Sequence, residues 1–69
     1  MTALSERERE ILAFEHLRWA AAGAKEEEIR RRFGMEPWRY FQQLNTLIER
    51  PEAQAADPVM VRMLLERRG

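Results

Sequence analysis

Arg39, Gln42, Gln43 and Thr46 are side-chain types that read the edges of DNA bases. A guanidinium pairs with guanine, an amide with adenine, and a threonine with either a polar edge or a thymine methyl. At about 100° per residue, a helix through this stretch places Arg39, Gln42, Thr46 and Glu49 on one side, with Trp38 and Gln43 flanking them. Tyr40, Phe41, Leu44, Leu47 and Ile48 share the other side. The polar face is either a reading surface or a solvated one. Lys25, Arg30, Arg31 and Arg50 are the candidate contacts to DNA backbone phosphates. Trp38 is a further backbone contact by packing on sugar and phosphate, or else a core or interface residue.

Charge argues for restraint. The 69 residues hold 12 Lys and Arg against 12 Asp and Glu, for a formal net charge of zero. That weighs against a polyanion binder of the histone or polybasic-arm type, although it does not exclude DNA binding by a local cationic patch. Residues 23–50 carry six cations against five acids, and Glu36 sits where phosphate would approach the reading helix. Few phosphates could be neutralised, so one copy should bind weakly.

Catalytic and metal chemistry find little support. There is one histidine, His16, one serine, Ser5, and no cysteine. No thiol nucleophile and no two-histidine metal site can form within one chain. Ser5 is explained as a helix cap, and His16 as a surface or half-buried side chain. No enzyme activity, cofactor, metal or small-molecule substrate is expected.

The elements that must position these residues are helical. Ser5 and Glu8 have the spacing of a capping box, and nothing breaks a helix before Gly23. A second helix over about 25–33 ends at Gly34, which supplies the left-handed residue of a tight turn. Its Glu26–Arg30, Glu27–Arg31 and Glu28–Arg32 spacings favour i,i+4 ion pairs. That is the plainer account of the charge run, and a phosphate clamp is the sharper one. Glu36-Pro37 opens a third helix over about 37–49. Residues 51–57 read as a linker with one helical turn at most, and Asp57-Pro58 opens a last helix over about 58–68. The expected fold is all-α: one four-helix domain spanning residues 1–69, with helices at about 5–22, 25–33, 37–49 and 58–68. A short helix, a glycine turn and a Pro-initiated helix have the form of a helix-turn-helix. Glu15, between apolar groups of the first helix, should pair with Arg18 or with an arginine from another helix.

Apolar residues crowd the last helix. Val59, Met60, Val61, Met63, Leu64 and Leu65 cover more of its circumference than one neighbour needs, and Leu12 and Trp19 extend the apolar surface of the first helix. Met60, Val61, Leu64, Leu65, Leu12 and Trp19 are the expected protein interface, for a homodimer or a larger partner. The alternative is that a compact monomer covers both patches by itself. No apolar run is long enough to span a bilayer. Charged residues over 5–10 occupy the place of a signal peptide's apolar core, so a cytoplasmic location without membrane association is expected.

Ala22-Gly23-Ala24-Lys25-Glu26, Ile29, Phe33-Gly34, Arg39-Tyr40, Gln42, Leu44-Asn45, Leu47-Ile48, Pro51-Glu52-Ala53 and Ala56-Asp57-Pro58 form a distinctive series. With Ile11-Leu12-Ala13-Phe14-Glu15 and Trp19 upstream, it resembles the actinobacterial family filed as domain of unknown function 3263. The resemblance covers roughly residues 11–65. It implies an actinobacterial or actinophage origin and a helix-turn-helix-like body, and names no ligand. The expectation from the residues is a small, transcription-associated protein that binds double-stranded DNA. The alternative is a protein-interaction module, such as a regulator docking on RNA polymerase.

Overall fold

Five α-helices and no strand make up residues 3–68, which the computed structural model describes. They are α1 (Glu6–Phe14), α2 (Ala22–Phe33), α3 (Pro37–Ile48), α4 (Pro51–Ala56) and α5 (Pro58–Arg68). The all-α class is as expected, but the helix count and two boundaries are not.

The capping box forms. Ser5 Oγ accepts from the Glu8 N–H at 3.0 Å, and the Ser5 N–H donates to Glu8 Oε1 at 2.7 Å. The first helix nevertheless stops at Phe14, eight residues before the expected end at 22. Packing overrides propensity here. Phe14 and Trp19 are five apart, so a continuous helix would point them to different sides. The chain instead breaks after Glu15 and folds back, bringing the two rings to 5.4 Å between centroids. The N–H groups of His16 and Leu17 close the end, bonding the carbonyls of Ala13 and Phe14, both at 3.1 Å. An extended Ala21 then caps α2. Gly23, expected to stop the first helix, lies inside the second.

Gly34 does end α2 as its position predicts. It is left-handed, at φ 64° and ψ 30°, and its N–H donates to the Arg30 carbonyl at 3.0 Å. Pro37 follows as the first residue of α3. The expected linker at 51–57 contains a six-residue helix, α4. Pro51 fixes its first turn, and Ala53 is fully buried against the core, which anchors a segment too short to persist alone.

Phe14 is the hub of the core. Its ring lies 5.3 Å from Phe33 and 5.6 Å from Tyr40 in edge-on geometry, and Phe33 and Tyr40 are 5.3 Å apart. Edge-to-face pairs at this spacing add about 0.5–1.5 kcal/mol each beyond area burial. The cluster ties α1, α2 and α3 together, with Ile11, Ile29, Leu44 and Ile48 around it. Val61 of α5 closes the other side.

This core corrects the expected protein interface. Leu12, Met60 and Val61 are buried within the single chain, and Trp19, Leu64 and Leu65 pack half-buried against the core. The turn that ends α1 at Phe14 folds Trp19 inward, and α4 brings α5 back over the body. Two other apolar residues of the crowded last helix, Val59 and Met63, stay open on α5.

Candidate functional site

Four of the expected reading residues meet in one place. Arg39, Gln42, Gln43 and Thr46 of α3 line a groove of about 380 Å³, closed on its other side by Arg7, Glu8 and Ile11 of α1. Leu47 and Arg50 complete it. Helical spacing sets this up: residues 39, 42, 43 and 46 form one stripe of α3, and α1 crosses beside it with Arg7 and Ile11 one turn apart. Ile11 anchors α1 in the core. Arg7, one turn earlier, is exposed at the rim, its guanidinium 5.6 Å from the Phe33 ring centroid.

The groove has a cationic balance. Among the described residues, neither Arg7 nor Arg39 makes an ion pair, and Arg50 holds both acids near it, Glu8 and Glu52. The Ser5 backbone N–H, with help from Arg50, keeps the Glu8 carboxyl below its usual range. Glu8 is therefore a charged, fully engaged partner of Arg50 rather than a free acid in the groove. Thr46 Oγ donates to the Gln42 carbonyl at 3.2 Å, one turn back. Its lone pairs remain available, so toward a ligand it is an acceptor.

The expected phosphate contacts do not gather with the readers. Lys25 is half-buried, 3.2 Å from the Glu15 carboxylate and 5.5 Å from the Phe41 ring centroid. Its charge is spent inside the fold. Arg31 bonds Glu28 at 2.7 Å, and Arg32 reaches the same carboxylate at 3.2 Å. Those bonds, Arg31's first, hold the Glu28 carboxyl below its usual range. Of the three expected i,i+4 pairs, Glu28–Arg32 is present, whereas Arg30 turns away from Glu26 to bond Glu36 at 3.2 Å. That contact spans the Gly34 turn and joins two largely exposed side chains. Trp38, 64% exposed in the first turn of α3, lies outside the groove. Of the expected backbone contacts, Arg50 alone lines the groove with the readers.

Glu15 was expected to pair with an arginine, and the partners are different. Its carboxylate accepts from the Tyr40 hydroxyl at 2.5 Å and from Lys25 at 3.2 Å. Burial first, then the hydrogen bond to Glu15 and its charge, push the Tyr40 phenol well above its ordinary value. His16 is exposed, as expected, and bonds Asp57 at 2.6 Å.

Arg7 is the groove residue that sequence reasoning missed. Its i,i+4 spacing to Ile11 placed it beside a core-facing position, but the alternating charges of residues 6–10 concealed which cation would face another helix. No group of His, Asp and Glu side chains among the described residues has the arrangement to hold a metal, and no helix there is long and apolar enough to cross a membrane.

The fold and groove thus define an all-helical protein with a polar, cationic cleft between its first and third helices. The chain belongs to the DUF3263 family, described as protein of unknown function, which it matches over residues 3–69. No curated protein and no solved structure matches it.

Proposed function

We propose that this chain is a small DNA-binding, transcription-associated protein, in which α2, the Gly34 turn and α3 act as a helix-turn-helix. The observation that carries the reading is the convergence of Arg39, Gln42, Gln43 and Thr46 on one groove beside the unpaired Arg7. Arg39 and the two amides supply base-edge contacts, and Thr46 accepts. Arg7 supplies a phosphate contact from the flanking helix. Arg30 adds a second by exchanging Glu36 for phosphate, since both partners are largely exposed and an exposed pair is worth little.

Two phosphate contacts support only weak binding by one copy. Reading of sequence should therefore be tested by selection from a pool of random duplexes at low salt. An enriched motif that changes at one position when Gln42 or Gln43 becomes Arg supports the reading, because an amide-to-guanidinium change favours guanine over adenine. A pool that shows no retention on the protein contradicts it.

A further inference from the structure

A second groove lies between the α1–α2 connection and α5, with a volume of about 470 Å³. Its apolar side chains are open. Leu17 is 44% exposed, Val59 77% and Met63 40%. Met60 and Leu64 lie deeper in it. Scattered exposed apolar residues are ordinary, but these share one concavity, and that grouping marks association surfaces. Methionines suit such a surface because they adapt to the shape of what they meet.

The charges say what kind of partner fits. The acids in the groove are already engaged: Glu15 by Lys25 and Tyr40, Asp57 by His16. Its arginines, Arg18 and Arg67, make no ion pair among the described residues. An apolar floor with free guanidiniums is complementary to an apolar stripe bordered by carboxylates. Val59, Met63 and Arg67 follow one another at i, i+4 and i+8 along α5, a run of about 12 Å at the helical rise. That length matches about two turns of a partner helix laid alongside. A second copy of this chain fits poorly, because a twofold contact would bring the free guanidiniums of two grooves into one interface whose acids are already engaged.

We propose that this groove docks an acidic amphipathic helix of another protein, its apolar stripe on Leu17, Val59 and Met63 and its carboxylates on Arg18 and Arg67. The inference does not rest on DNA binding, since the two grooves share no residue.

The test is a titration of the isotope-labelled full chain with a designed peptide, followed by amide chemical shifts. The peptide has about 15 residues, enough for an isolated helix to be populated, with leucines at helical spacing and glutamates on both flanks. A second peptide carries lysine for every glutamate. Saturable shifts centred on Leu17, Val59 and Met63 are expected, with the lysine peptide roughly tenfold weaker because attraction at two sites becomes repulsion. The double variant Arg18→Glu/Arg67→Glu should reverse that preference. Met63→Asp should abolish binding with helical circular dichroism retained, and Val59→Asp, at the more exposed position, repeats the test if Met63→Asp unfolds. The inference is overturned by shifts centred on Arg7 and Arg39, by equal binding of both peptides, or by no binding. It is overturned equally if sedimentation shows a dimer that Met63→Asp dissociates, because the occupant is then a second copy.

Discussion

The Tyr40 hydroxyl donates to the Glu15 carboxylate at 2.5 Å, joining the N-terminal part of the chain's third helix to the residue that ends its first. Tyr40 is fully buried, so its phenol has no water to turn to, and Glu15 is the acceptor that satisfies it. Lys25 completes the arrangement from α2. Three elements thus meet at one carboxylate, directly beneath the break that shapes the fold.

Tyr40→Phe should cost about 1.5–3 kcal/mol, the range for a hydrogen bond to a charged group. The pH dependence has a definite sign. The folded phenol's affinity for its proton is raised above the ordinary value of 10.0, so its contribution is present below that value and lost as pH rises beyond it. Tyr40 is the single tyrosine, so tyrosinate absorbance reports it alone. Tyrosinate should appear together with loss of helical circular dichroism. Ionisation with an ordinary midpoint while the helices persist would contradict the buried bond.

Glu8 works in two directions, to the Ser5 N–H and to Arg50. Glu8→Ala should lower stability by about 1–2 kcal/mol, combining a lost cap with a partly exposed ion pair. Its carboxyl is held below its ordinary 4.5, so the stabilisation is present above that value and fades as pH falls through the lowered one. Urea unfolding at neutral and acid pH measures this. The wild-type advantage over Glu8→Ala should shrink on acidification. An advantage unchanged into strong acid would show that the carboxylate's charge is irrelevant.

The two described glycines should respond oppositely to alanine. Gly23 lies in α2 without a positive φ, and a Cβ there meets nothing within 4 Å. Gly23→Ala should stabilise by about 0.4–1 kcal/mol, by reducing the freedom of the unfolded chain. Gly34 has equal space but a φ of +64°, so Gly34→Ala should destabilise by about 1–2 kcal/mol. Thermal unfolding of both variants checks the pair, and a destabilised Gly23→Ala would contradict the position of α2's start.

The contrast between these glycines shows where the fold was legible. Gly34 followed Phe33 at the end of an unbroken helical stretch and preceded Glu36-Pro37, so local rules all agreed on a turn. Gly23 followed an alanine run that local rules extend as helix. The deciding force there was distant: Phe14 and Trp19 both enter the aromatic cluster, and Glu15 is claimed by Tyr40 and Lys25 from later in the chain. Helical periodicity on α3 found the groove's Arg39, Gln42, Gln43 and Thr46 because they lie on one helix. It could not find Arg7, which faces them only after α1 has docked. Nor could it tell that Lys25 would be consumed by a carboxylate ten residues earlier, or that α4 would bring Met60 and Val61 into the core.

The most direct test of the DNA-binding reading is the salt dependence of duplex affinity, measured by fluorescence anisotropy on the wild type, Arg39→Ala and Arg31→Ala. With two phosphate contacts, the logarithm of affinity should fall by about 2 per tenfold rise in salt. Arg39→Ala should lose most of the affinity for a selected site. Arg31→Ala, whose guanidinium is held by Glu28 away from the groove, should bind within about a factor of two of the wild type. Equal losses for both variants, or no binding by the wild type at low salt, would contradict the account.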